Sequence, residues 1–159
     1  MLLKNLFKNI PKNLKKLNIK GLALNSKEVR NGFIFFAIKG KKFNGENYIN
    51  EAISNGANLI ICSKRCKFDN KKAYFIKTKN PINYLSEITS NFYKLKPKNI
   101  IAVTGTNGKT SVADFYKQIL EINKIPVASI GTLGIRYKNK IIKTSLTTPD
   151  IITLHKNLE

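Results

Sequence analysis

Val103-Thr104-Gly105-Thr106-Asn107-Gly108-Lys109-Thr110-Ser111 is the stretch that decides how this chain is read. Before it runs an apolar segment, Asn99 to Val103; after it, apolar residues recur at helical spacing. A glycine-bearing turn between a strand and a helix is the setting of a phosphate-binding loop. Gly105 and Gly108 let the backbone turn tightly enough to aim successive N–H groups at one anion. The helix that follows adds its positive end at the same place. Lys109 is then the candidate catalytic cation, reaching the β- and γ-phosphates of ATP as a point charge. Thr110 is the candidate metal ligand, its hydroxyl placed for Mg²⁺. The expected ATP-binding set is Gly105, Thr106, Asn107, Gly108, Lys109, Thr110 and Ser111. The loop departs from G-x-x-x-x-G-K-[ST] at one position, where Val103 replaces the first glycine.

Outward from the loop, strand and helix signals alternate. Ser111 to about Asn123 predicts a helix whose face of Val112, Phe115, Tyr116, Ile119 and Leu120 turns inward. Val127 to Ile130 predicts a strand parallel to Asn99–Val103, because strand–helix–strand connections cross over. A hairpin is expected next: Gly134–Tyr137, a turn at 138–140, then Ile141–Thr144. A last helix is expected to be capped by Thr148, with Pro149 at its first position and Asp150 near its positive end. Lys96-Pro97-Lys98 is the expected domain boundary, separating residues 1–95 from 98–159. In the first part, Phe33–Ile38, Leu59–Cys62 and Tyr74–Ile76 read as strands. Asn44-Gly45 opens a helix with Tyr48, Ile49, Ala52 and Ile53 on one face. Asn80-Pro81 opens another, carrying Ile82, Leu85, Ile88 and Phe92 inward as far as about Leu95. The amino terminus reads as an amphipathic first helix on Leu3, Leu6, Phe7 and Ile10, not as a transit peptide. The fold class is α/β: a small amino-terminal α/β domain, then the start of a parallel-sheet ATPase domain with a phosphate loop.

Composition narrows the function classes. The chain has 159 residues and a net charge of +20, which invites a nucleic-acid reading. Yet all but three of its 29 basic side chains are lysine, the exceptions being Arg30, Arg65 and Arg136. They are spread along the whole chain beside abundant Asn and Ile, a pattern that A/T-rich coding explains. No specific nucleic-acid partner is expected. No apolar run approaches the ~20 residues a membrane helix needs, so no membrane insertion is expected and the expected location is the cytoplasm. Cys62 and Cys66 lack metal-site spacing and read as reduced thiols; His155 reads as a helix-surface residue. The 9 carboxylates leave only Asp114, Glu121, Asp150 and Glu159 after the loop, and none ends an apolar strand. The nucleotide cradle therefore lacks a partner carboxylate, as in a chain cut short.

Four further segments carry a resemblance. Leu24-Asn25-Ser26-Lys27 is similar to an L-D-S-R segment, and Val29–Ala37 to V-x-x-G-D-L-F-V-A. Gly131-Thr132-Leu133-Gly134 is similar to G-T-L-G, and Thr147-Thr148-Pro149-Asp150 to T-T-P-D. With the loop, this set resembles the Mur ligases, the amide-forming synthetases of bacterial peptidoglycan precursors, and most of all the members that add the third amino acid.

The resemblance spans essentially the whole chain, whereas family members are several times longer. It implies a uridine-binding amino-terminal domain and the beginning of the central ATPase domain. It implies contacts to a UDP-sugar by Leu24, Ser26, Lys41, Lys42 and Phe43, and to its muramoyl-dipeptide by Thr147 and Thr148. Asn25 and Lys27 depart from the family's Asp and Arg, which removes a bidentate contact. The implied chemistry phosphorylates the carboxylate of UDP-N-acetylmuramoyl-L-Ala-D-Glu with ATP and lets an amine, meso-diaminopimelate or lysine, attack the acyl phosphate. ATP and Mg²⁺ are the implied cofactors, the dipeptide nucleotide and an amino acid the partners, and a monomer the expected state. The family's remaining catalytic groups would lie past Glu159. Residues 1–159 alone are therefore expected to form no amide bond, and to leave Val103, Phe115 and Ile130 partly exposed. A folate-polyglutamate or cyanophycin-type synthetase shares the loop, but segments 24–37 and 147–150 argue against it. A basic non-catalytic binding module is the remaining alternative. That module is tested directly: binding to DNA or RNA should be weak, without sequence preference, and lost as salt rises. Titration of two unrelated oligonucleotides at two salt concentrations checks this, and tight selective binding near physiological salt overturns it.

Overall fold

The computed structural model describes residues 1–8, 10–40, 43–143 and 149–159. They divide into two compact units, Met1–Lys94 and Leu95–Glu159.

The first unit is built on four strands, β1 (Gly21–Ala23), β2 (Phe33–Ala37), β3 (Ala57–Ser63) and β4 (Tyr74–Thr78), all parallel in the order β1-β2-β3-β4. Parallel strands are covered on both faces and so read as continuous apolar runs. Phe33–Ala37 and Leu59–Cys62 are such runs. Alternation sends Phe35, Ala37, Ile60 and Cys62 to one face, where they pack with Ile49 and Ala52 of helix α1 (Ile49–Ser54). Ile34, Phe36, Leu59 and Ile61, all fully buried, occupy the other. Helix α2 (Pro81–Phe92) packs on β2 and β3 through Leu85 and Ile88. Asn91 Nδ2 donates to Leu6 O at 2.7 Å, and the Phe7 and Tyr84 rings meet edge to face at 5.0 Å. The amino-terminal segment is thereby fastened to α2.

Several expectations in this unit change: the helix expected from Asn44-Gly45 begins as a 3₁₀ turn, Gly45–Tyr48, that leaves Tyr48 41% exposed, and α1 starts only at Ile49. The amphipathic first helix is absent. Leu3–Asn5 and Lys12–Leu14 are single 3₁₀ turns, with Pro11 between them denying a helical hydrogen bond. Leu3, Leu6, Phe7 and Ile10 are nonetheless buried. The short strand β1 had no sequence signal of its own. Ile82 is 59% exposed and α2 stops at Phe92, so its buried stripe is narrower than its apolar composition. The expected capping is present: Asn80 accepts from Asn83 N–H, with Pro81 at the first helical position.

The second unit holds helix α3 (Lys109–Ile122), strands β5 (Ala128–Gly131), β6 (Gly134–Tyr137) and β7 (Lys140–Ile142), and helix α4 (Ile151–Leu158). The sheet is antiparallel, β5-β6-β7. The expected parallel pairing of Asn99–Val103 with Val127–Ile130 is not found: 99–103 joins no ladder among the described residues, and Ile100 and Ile101 are 65% and 60% exposed. A strand is defined by its neighbours, and β5 gives its hydrogen bonds to β6 instead. The expected inward face of α3 is also reversed. Val112, Phe115, Tyr116 and Ile119 are exposed, while Lys117 is buried and paired with Glu121 at 2.6 Å. Among the described residues, β5 lies against α3, and Arg136 of β6 reaches the Asp114 carboxylate of that helix. The expected partial exposure of Val103 and Phe115 is observed, and Ile130 is half-buried. Asp150, not Thr148, caps α4: its Oδ1 accepts from Ile152 N–H at 2.9 Å and Thr153 N–H at 3.0 Å. Thr148 and Thr144 lie outside the described residues. Among those residues no helix is long and apolar enough to cross a membrane.

The two cores predict opposite responses to the same truncation. Phe35→Ala should cost about 3–5 kcal/mol, as for a buried aromatic that leaves a cavity. Phe115→Ala should cost no more than about 0.5 kcal/mol, as for a surface residue. Urea denaturation of the two variants checks this; equal losses would contradict the burial described here.

Candidate functional site

In the candidate phosphate loop, Gly105 has φ +148° and Gly108 φ +75°, both in the left-handed region that favours glycine. Gly108 is the N-cap of α3 and contributes no side-chain cap. The first N–H groups of the 14-residue helix therefore face outward without a capping oxygen. Residues 101–110 are exposed throughout. Lys109 curls back over the turn, its Nζ donating to Gly105 O and, at 3.1 Å, to Thr106 O. An ammonium beside the uncapped N–H groups of a helix start is an arrangement suited to an anion. Thr110 and Ser111 lie in the first helical turn, also exposed. All seven residues expected to bind ATP are thus in one place.

The fit to magnesium is narrower. Among the described residues there is no group of three His, Cys, Asp or Glu side chains that could hold a metal ion. The nearest carboxylate along α3, Asp114, is engaged: Arg136 of β6 donates to its Oδ1, and Gln118 Nε2 donates to Oδ2 at 2.8 Å. Arg136 also donates Nε to Ser129 Oγ at 3.3 Å. The Arg136 hydrogen bond holds the Asp114 carboxyl below the usual carboxylate range, aided by Gln118 and opposed by desolvation. The sequence reading missed this pair, because nothing local links positions 114 and 136.

A second set of residues gathers in the first unit. β1 and β2 are parallel neighbours, so the segments after both emerge at one sheet edge. Ligands of open α/β sheets bind beyond the carboxyl ends of the strands. After β1, Leu24 is half-buried and Ser26 begins a 3₁₀ turn, Ser26–Glu28. Ser26 is only 4% exposed, and its hydroxyl donates to Glu51 Oε2 at 2.6 Å. After β2, Gly40 N–H donates to Phe43 O at 2.8 Å, and Phe43 is 70% exposed. Lys41, Lys42, Thr147 and Thr148 lie outside the described residues.

The thiols and the histidine take no visible part. Cys62 and Cys66 are free and buried, and burial pushes the Cys62 thiol up to about 12. His155 is more enclosed than a surface residue: its Nδ1 is buried with no hydrogen-bond partner, and burial, then Lys96, lowers its basicity.

Family models cover residues 18–159. "Mur ligase family, catalytic domain" matches residues 18–107, and "Mur ligase middle domain" matches 103–159. The chain belongs to the Mur ligase family. The UDP-N-acetylmuramoyl-L-alanyl-D-glutamate–2,6-diaminopimelate ligase of Bradyrhizobium diazoefficiens is 41% identical over 143 residues, 90% of this chain and 29% of that protein. A solved structure of a ligase of the same name superposes over 99% of this chain and 32% of its own, with TM-score 0.76 and 23% identity, which establishes the α/β fold. MurF ligase from Thermotoga maritima, solved in complex with ADP, covers 67% of this chain and 24% of its own, at 30% identity and TM-score 0.51. The chain spans about a third of the length of the Mur ligases it matches.

The Asp114–Arg136 pair yields a pH prediction. A carboxyl whose folded pKa is lowered gives stability that is full above its unfolded value, near 3.8, and is lost as pH falls through the folded value. The Asp114 carboxyl should titrate below 3.8 in the wild type and close to it in Arg136→Met. Carbon-detected NMR titration of the side chain checks this; identical titration in both proteins would show that Arg136 is not the cause.

Proposed function

We propose that this chain carries two substrate grips of an ATP-dependent amide ligase of peptidoglycan synthesis. The enzyme adds the third amino acid, meso-diaminopimelate, to UDP-N-acetylmuramoyl-L-Ala-D-Glu. The observation that carries this reading is the loop at Gly105–Ser111: glycines at positive φ, an uncapped helix start and Lys109 folded over it. Residues 98–159 form the ATP-binding part, and residues 1–95 the nucleotide-sugar part.

ATP supplies the phosphoryl group that turns the dipeptide carboxylate into an acyl phosphate. This chain's residues contribute by position and charge, which is what phosphoryl transfer requires. The N–H groups of Gly105–Gly108 and the start of α3 would hold the phosphates, and Lys109 would offset the charge that develops on them. Mg²⁺ would find the Thr110 hydroxyl here. Leu24, Ser26 and Phe43, with Lys41 and Lys42, would take the uridine end of the nucleotide sugar, and Thr147 and Thr148 its muramoyl end. Ser26 contributes to such a site chiefly by shaping the turn, since its hydroxyl proton is already committed to Glu51. The substrates, ATP and a soluble nucleotide sugar, belong to the cytoplasm, and the reading requires no second subunit.

Lys109→Ala should abolish ATP binding and leave UDP-sugar binding and the parallel sheet intact. Calorimetric titration with each nucleotide, alongside circular dichroism, checks this. Unchanged ATP affinity in the variant would refute the loop assignment.

A further inference from the structure

Two of the chain's 9 carboxylates, Glu46 and Glu51, stand five residues apart on the segment that leads from β2 into α1. Each takes donors from the end of a different strand. Glu51 Oε2 accepts the Ser26 hydroxyl at 2.6 Å, just after β1. One helical turn on, Asn55 Nδ2 donates to Ser26 O at 2.9 Å. Glu46 Oε1 accepts both from Ser63 N–H at 3.2 Å and from Ser63 Oγ at 2.6 Å, at the end of β3. Asn44 Oδ1 in turn accepts from Glu46 N–H at 3.2 Å, capping the 3₁₀ turn Gly45–Tyr48 on the same residue.

These contacts have a direction. An ionised carboxylate only accepts, so Ser26 spends its single proton on Glu51. Charge-assisted hydrogen bonds of this length are among the stronger kinds in proteins. Ser26 is nearly inaccessible, so losing its acceptor would strand a buried hydroxyl. A carboxylate is also the wrong sign beside a site for an anionic nucleotide, in a chain whose net charge is +20. Attraction of the ligand does not account for these groups; the loops they hold do.

We infer that Glu46 and Glu51 are positioning residues of the nucleotide-sugar site, hydrogen-bond acceptors that clamp the loops after β1 and β2 to α1 and to the end of β3. The inference rests on reading this sheet edge as the nucleotide-sugar site. It assigns the two residues a role as acceptors, not as charges. Glutamine keeps the acceptor oxygen and removes the charge; alanine removes both.

The test uses the full chain, with Glu46→Ala, Glu51→Ala, Glu46→Gln and Glu51→Gln. Hydrogen exchange is read at 26–29 and 43–46, and UDP affinity by titration. Both alanine variants should exchange faster at their own loop and bind UDP about tenfold more weakly. Both glutamine variants should match the wild type. Should Glu51→Ala fail to fold, Ser26→Ala removes the same bond from the other side and should loosen 26–29 likewise. Alanine variants that exchange and bind as the wild type does overturn the clamp, and so do glutamine variants as defective as alanine. A wild type that fails to bind UDP overturns the nucleotide-sugar reading and the assignment to that site, while the exchange data still report on the clamp itself.

Discussion

Parallel strands cannot be joined by two-residue hairpins, so each return from one strand to the next must cross the sheet. In Met1–Lys94 this restriction sets nearly everything else. β1 to β4 run the same way, so the backbone leaves all four at one edge. The returns place α1 on one face, with α2 and the amino-terminal segment completing the cover. Sheet faces covered in this way can be apolar throughout, as Phe33–Ala37 and Leu59–Cys62 are. Polar, glycine-rich and asparagine-rich sequence is then left for the edge where the strands end. The candidate nucleotide-sugar residues gather there by topology, since Ser26 and Phe43 are far apart in the chain's local geometry but follow adjacent strands.

Charge is distributed by a different logic. Lysines dominate the surface, and few of them have a defined partner in the described contacts. Among the described residues, several of the scarce carboxylates take particular donors. Glu46 and Glu51 hold loops of the parallel unit, Asp114 joins α3 to β6 through Arg136, Glu121 meets the buried Lys117, and Asp150 caps α4. With so large an excess of positive charge, a carboxylate placed at random would be surrounded by solvated lysines and fix nothing.

Legibility in the sequence followed the same physics. Strands β2 and β3 and the capped start of α2 were plain, because burial on both faces and an Asn-Pro start leave unambiguous marks. The glycine-bearing turn at the start of α3 was plain because its glycines, lysine and threonine have spacing as well as identity. β1 was not, since three residues, Gly21–Ala23, carry no periodicity. The apolar spacing of α3 was read correctly, yet spacing does not say which face a neighbour takes. Here Lys117 is buried and Phe115 faces outward. The reading of 99–103 as a strand failed for a related reason: pairing belongs to the partner as much as to the segment. The carboxylate contacts of Ser26, Ser63 and Arg136 were invisible because each spans 17 residues or more.

The bare start of α3 has a thermodynamic corollary. Most helices recover about 1 kcal/mol from a side chain that caps their first N–H groups. Gly108 supplies no capping oxygen, at a cost of a few tenths of that amount. The missing oxygen comes from solvent or from something bound. An anion held there is therefore both ligand and cap, and its binding energy is in part the deferred completion of the helix. Occupancy and helix stability become one equilibrium, so that the loop is firmest when it is full.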